Sequence, residues 1–85
     1  MDTRPNIISD NVTALTVLTE RQRQVAALAC QGFSNKKIAE ELGLAEGTVK
    51  VHLNAIYVRL DVRSRTKLIV RFGRTQAIAT KLFLR

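Results

Sequence analysis

The chain has no tryptophan, one tyrosine and three phenylalanines, so aromatic residues make up 5% of it and its core must be aliphatic. It has a single cysteine, Cys30, which excludes an internal disulfide and carries no message about an oxidising compartment. One cysteine and one histidine also cannot build a four-ligand zinc site. Apolar runs are short: Val25 to Cys30 is among the longest, far below the roughly 20 residues a membrane span needs. The start, Met1-Asp2-Thr3-Arg4-Pro5-Asn6, lacks the basic-then-apolar layout of a secretion signal. Acidic residues are scarce, seven against fourteen Lys and Arg. These absences leave a soluble intracellular domain as the expectation, cytoplasmic, with no membrane partner and no metal.

What is present is one small domain. With 85 residues there is room for a single core and none for a second domain. A hydrophobic fraction of 46% beside 25% charged residues is ordinary globular composition. The net charge is +7, and it is unevenly placed. Residues 47–85 carry nine basic side chains against Asp61 alone, while the blocks 1–18, 19–33 and 34–46 nearly balance. An excess gathered in this way suggests a polyanionic partner, although a solvated basic face is the plain alternative.

The chain divides by its punctuation. Residues 1–15 hold the only proline and show no sustained period, and read as an arm or linker. Thr19 with Gln22 forms an S/T-x-x-E/Q capping box, with Leu18 in front as a hydrophobic staple, opening a helix from Glu20 to Gln31 that Gly32 stops. Ser34 caps a second helix, Asn35 to Leu42, ended by Gly43. A third runs from Glu46 to Leu60, where Val49, Leu53, Ile56 and Leu60 recur at helical spacing. Ser64 caps a fourth from Arg65, with Leu68 and Phe72 one turn apart. Gly73 either stops it or is passed through toward Ala79. No segment alternates with a period of two, so the expected fold is all-α.

Two short helices joined by Gly43-Leu44-Ala45 have the size and turn chemistry of a helix-turn-helix, with Ala39 and Gly43 small enough for a close crossing. The outward face of helix 3 sharpens this reading. Opposite the apolar stripe lie Gly47, Val51, Asn54, Ala55 and Val58, flanked by Lys50 and Thr48. A merely solvated face is normally charged; this one is small and mildly apolar with donors at its edge. Such a surface suits the major groove, where a valine methyl meets a thymine methyl, Lys50 donates to guanine and Asn54 pairs with adenine. Thr48 and the free amides at the helix start are placed for phosphate. The competing reading buries Val51 and Val58 against another protein.

Leu18-Thr19-Glu20-Arg21-Gln22, Gly32-Phe33-Ser34-Asn35-Lys36-Lys37-Ile38-Ala39, Gly47-Thr48-Val49-Lys50-Val51-His52 and Leu60-Asp61-Val62-Arg63-Ser64-Arg65 together resemble the LuxR/FixJ (NarL-type) helix-turn-helix, the DNA-binding domain of many bacterial response regulators and quorum-sensing regulators. The resemblance covers about residues 16–74, leaving 75–85 as a C-terminal tail. It implies a four-helix domain that binds double-stranded DNA as a homodimer, with helix 3 as recognition helix and helix 4 as dimer contact. It also implies RNA polymerase as a further partner. By the same resemblance Lys50, Val51 and Asn54 are base-reading. Ser34, Asn35, Lys36, Lys37, Thr48, His52, Arg59, Arg63 and Arg65 fall to the DNA backbone.

Three positions depart from the family pattern: many members have Glu where this chain has Gln22 and Lys37, and Ser where it has Ala45. Gln22 still completes the capping box. Lys37 gives up a carboxylate–dipole attraction of about 0.3–1 kcal/mol and adds attraction for phosphate. Ala45 removes a side-chain cap from helix 3, at about 0.5–2 kcal/mol relative to Ser. None of the three lies on the base-reading face.

On helix 4, Thr66, Ile69, Val70 and Gly73 form a face that a second copy would cover. The alternative cover is the tail, whose Ala77, Ile78, Leu82 and Leu84 also need burial. His52 flanks the buried stripe, so it is either a structural side chain at the helix margin or a phosphate donor. Cys30 reads as a small core residue. No nucleophile–base pair or Gly-rich phosphate cradle is legible, so the chain is expected to be neither an enzyme nor a cofactor carrier. The rival class is a protein-interaction module that sequesters a full-length regulator through helix 4.

Overall fold

The structure, a computed structural model, describes residues 17–73. The arm expected over 1–15 and the tail over 75–85 lie outside the described residues, as does the path of the chain beyond Gly73. Within them the order is α1 (Glu20–Cys30), α2 (Asn35–Leu42), α3 (Glu46–Leu60) and a helical segment over 65–73, here α4, with no strand.

Three of the four described helices begin at a side-chain cap. Thr19 Oγ1 accepts the amide of Gln22 at 3.1 Å while Gln22 Oε1 accepts the amide of Thr19 at 3.0 Å, which closes the capping box. Leu18 does not staple α1 in the expected way. The position one turn in is Arg23, whose guanidinium donates to the Leu18 carbonyl at 2.7 Å, so a hydrogen bond fixes the approach angle while the Leu18 side chain enters the core. Ser34 Oγ accepts from the Lys37 amide and Ser64 Oγ from the Lys67 amide, so α2 and α4 have their side-chain caps. α3 has none: Ala45 stands at its N-cap with extended backbone and offers only its carbonyl, which accepts from Thr48 and Val49.

The helix ends follow backbone handedness. α1 stops at Cys30, one residue short of the sequence expectation, because Gln31 is already the cap and Gly32 follows at φ +91°. Gly43 takes φ +68°, and the next amide, of Leu44, reaches back to the Ala39 carbonyl at 2.9 Å. Nothing lies within 4 Å of where a Gly43 Cβ would stand. The glycine therefore serves the left-handed backbone and not the close helix crossing expected of it; Ala39, buried at 7% exposure, is the small residue that does pack. α3 ends in the same handedness without glycine, at Asp61 with φ 56°, and the Val62 amide closes back onto the Tyr57 carbonyl.

α1 and α2 both pack on α3, whose Val49, Leu53, Ile56 and Leu60 are all buried, as the stripe predicts. Val25, Ala26, Leu28 and Ala29 of α1 and Ile38 of α2 meet them, while Val62, Leu68 and Phe72 close the far end. Burying each large aliphatic side chain contributes about 1.5–3 kcal/mol, so this one cluster is the main source of stability in a core of few aromatics. Its consequence for function is orientation. With one face of α3 wholly engaged, the opposite face is held outward.

Candidate nucleic-acid interface

The outward face of α3 is uncovered by the described residues of its own chain. Val51 is 66% exposed and Val58 80%, and Gly47, Thr48, Lys50 and Asn54 are exposed as well. A Cβ added at Gly47 would meet nothing within 4 Å, so the first turn of α3 stands in open space. Two exposed valines, two turns apart on a 15-residue helix, lie beside donors of two kinds. Lys50 supplies a cation and Asn54 a carboxamide, with methyl groups between them. That combination suits base edges in a groove. Ala55 and His52 are half-buried at the margins of this face.

The basic residues grouped around it sort into different surroundings. Lys36 and Lys37 lie exposed in the first turn of α2, where backbone amides already point outward; Lys37 also approaches Glu41 at 3.7 Å, an exposed pair that contributes little. Ser34 spends its hydroxyl as the acceptor of the α2 cap. Arg59 donates to the Val17 carbonyl at 3.1 Å across the exposed surface, tying the last turn of α3 to the segment before α1. Arg63 is exposed in the turn after α3. Arg65 is half-buried, and its guanidinium donates to Asn35 Oδ1 at 2.6 Å and to the Phe33 carbonyl. Arg65 and Asn35, each expected to face the DNA backbone on its own, bond to each other. A separation of 30 residues leaves no local pattern from which that pair could be read.

Cys30 lies half-buried against the core, and burial pushes its thiol up to about 11 although the Arg65 guanidinium works in the opposite direction. It is a packing residue and a poor nucleophile at neutral pH. No group of three or more His, Cys, Asp or Glu among the described residues is placed to hold a metal ion. No helix among them is long and apolar enough to cross a membrane.

A second area that the described residues leave uncovered lies on α4. Val70 is 77% exposed and Ile69 36%, with Thr66 exposed and Gly73 half-buried beside them. Next to it is a shallow depression of about 280 Å³ between α4 and the α3–α4 turn, lined by Asp61, Val62, Arg63, Lys67, Val70 and Arg71.

A short helix, a three-residue turn through a left-handed glycine and a longer helix with a free outer face define a helix-turn-helix domain. The chain belongs to the GerE family, bacterial regulatory proteins of the luxR family, which matches residues 16–72. It is 46% identical over 57 residues to the nitrate/nitrite response regulator protein NarP of Escherichia coli, covering 67% of this chain and 26% of that protein. Similarity to the putative HTH-type transcriptional regulator YhjB of the same organism is 40% over 57 residues, 67% of this chain and 28% of the other. To the transcriptional regulatory protein LnrK of Bacillus subtilis it is 48% over 59 residues, 66% and 27% respectively. The chain thus spans about a quarter of the length of these relatives. No solved structure matches it.

Proposed function

We propose that the chain is the sequence-specific DNA-binding module of a bacterial transcription regulator acting in the cytoplasm, with α3 lying in the major groove. The observation that carries the reading is the outward face of α3, exposed, small and mildly apolar, with Lys50 and Asn54 beside Val51. In this reading Lys50 donates to guanine O6/N7, Asn54 pairs with adenine N6/N7 and the Val51 methyls meet thymine. Thr48, the first-turn amides of α3, Lys36, Lys37, His52 and Arg63 hold the phosphates on either side. Family membership and relatives named as a transcriptional regulator and a transcriptional regulatory protein support the same assignment.

Two copies joined through Thr66, Ile69, Val70 and Gly73 of α4 would read half-sites about one helical turn apart. RNA polymerase is the further partner of a regulator so bound. Selection of bound sequences from a random duplex library tests the proposal: an enriched, two-fold related site supports it, and recovery of unenriched sequence overturns it. The salt dependence provides a second check, because log K should fall by about 0.9 per phosphate contact for each decade of salt.

The exposure of Val70 and Ile69 favours one alternative, a module that sequesters a full-length regulator through α4. Capture of such a regulator by a chain that shifts no duplex would select it.

A further inference from the structure

We propose that Arg65 is a positioning residue, a clamp that fixes the start of α2 to the start of α4, rather than a phosphate ligand; the inference rests on the DNA-binding reading above. One arm of its guanidinium holds the Asn35 carboxamide and the other the Phe33 carbonyl. These two acceptors flank Ser34, the N-cap residue whose hydroxyl holds the Lys37 amide. A side chain 30 residues further along the chain thus holds the residues on either side of the α2 N-cap, Phe33 and Asn35.

The first turn of α2 is where the exposed Lys36 and Lys37 stand, with no acidic residue among them. Both acceptors of Arg65 are neutral, so its charge remains part of the basic field while its donors are engaged. An arginine is required because a planar fork can serve two separate acceptors, whereas an ammonium is a point charge without that span. α4 meanwhile carries the exposed Ile69 and Val70. The clamp therefore links the helix proposed to meet a partner with the helix end proposed to meet phosphate.

The two roles for Arg65 differ in what a lysine can replace. Binding to a duplex would be measured across a salt series for the wild-type chain, Arg65→Lys, Arg65→Ala, Asn35→Ala and the Arg65→Ala/Asn35→Ala double variant, at a temperature where circular dichroism shows each folded. The clamp predicts that Arg65→Lys weakens binding as much as Arg65→Ala, on the order of tenfold. Both should also lower the salt slope by about one to two contacts, as Lys36 and Lys37 lose register. The double variant should bind no worse than Arg65→Ala.

Wild-type-like binding by Arg65→Lys beside a weakened Arg65→Ala would overturn the proposal in favour of direct phosphate contact. Unchanged binding by all folded variants would overturn it too, leaving a bond that supports the fold alone. Thermal unfolding of the same four variants needs no DNA and separates this inference from the functional reading. Additive losses for Arg65→Ala and Asn35→Ala would refute the clamp whether or not the chain binds a duplex.

Discussion

Replacing Ala45 with serine should stabilise the domain, and the size of the gain can be worked from the structure. Ala45 is the N-cap of α3, exposed, with extended backbone at φ −73° and ψ 148° and no side-chain cap hydrogen bond. Thr19 and Ser34, at the same position of α1 and α2, have nearly the same backbone angles and do cap. A serine hydroxyl at 45 would therefore find the amide of Gly47 or Thr48 without rearrangement. The expected gain is about 1 kcal/mol, within the range of roughly 0.5–2 for such caps. In a domain this small that raises the thermal midpoint by about 4–8 °C. The assay is thermal unfolding by circular dichroism, calibrated by Ser34→Ala, which should lose a similar amount. Ala45→Gly should recover most of the gain, since glycine at the cap leaves the free amides open to water. The reasoning is refuted if Ala45→Ser matches or falls below the wild-type midpoint while Ser34→Ala loses stability.

Asp61→Gly should also stabilise, by up to about 1 kcal/mol, because a β-carbon there occupies left-handed backbone at φ 56°; chemical denaturation reads it, and a loss would mean the carboxylate contributes more than the strain. Cys30 sets a pH dependence. Its folded thiol titrates at about 11, above its ordinary value, so the folded state holds the proton longer and stability falls as pH rises from about 9 toward 11. A Cys30→Ala chain should lack that decline, and an identical decline in both would show that other groups cause it. Val70→Asp places a charge on the exposed face of α4 and should reduce binding to a two-half-site duplex far more than to a single half-site. Equal binding to both by wild type and variant would remove α4 from the interface.

The sequence made the local structure legible wherever a short-range rule decides it. The capping box at Thr19 and Gln22, the caps at Ser34 and Ser64, the left-handed Gly43 and the stripe from Val49 to Leu60 all follow from residues within one or two turns of each other. The limits of α3 matched for the same reason. Asp61 escaped because left-handed backbone is expected of glycine, and here the closing bond from Val62 to Tyr57 holds an aspartate in it. Arg59 and Arg65 escaped for another reason: a basic residue in a basic chain reads as a phosphate ligand until a carbonyl is found beside it, and Arg23 carried no expectation at all. Leu18, Val17 and Phe33 supply those carbonyls, and no periodicity announces them. The exposed face of α3 was legible because it is the complement of the buried one.

If the outward face of α3 reads bases, Lys50 sets the preference at one of them. Affinity of the wild-type chain and of Lys50→Ala would be measured on the selected duplex and on duplexes substituted at each base pair in turn. A base-reading Lys50 gives a loss of about 1–3 kcal/mol on the preferred site, together with a relaxed preference confined to one base pair of each half-site. Equal weakening on every duplex, with base preference intact, would contradict it and reduce Lys50 to a phosphate contact.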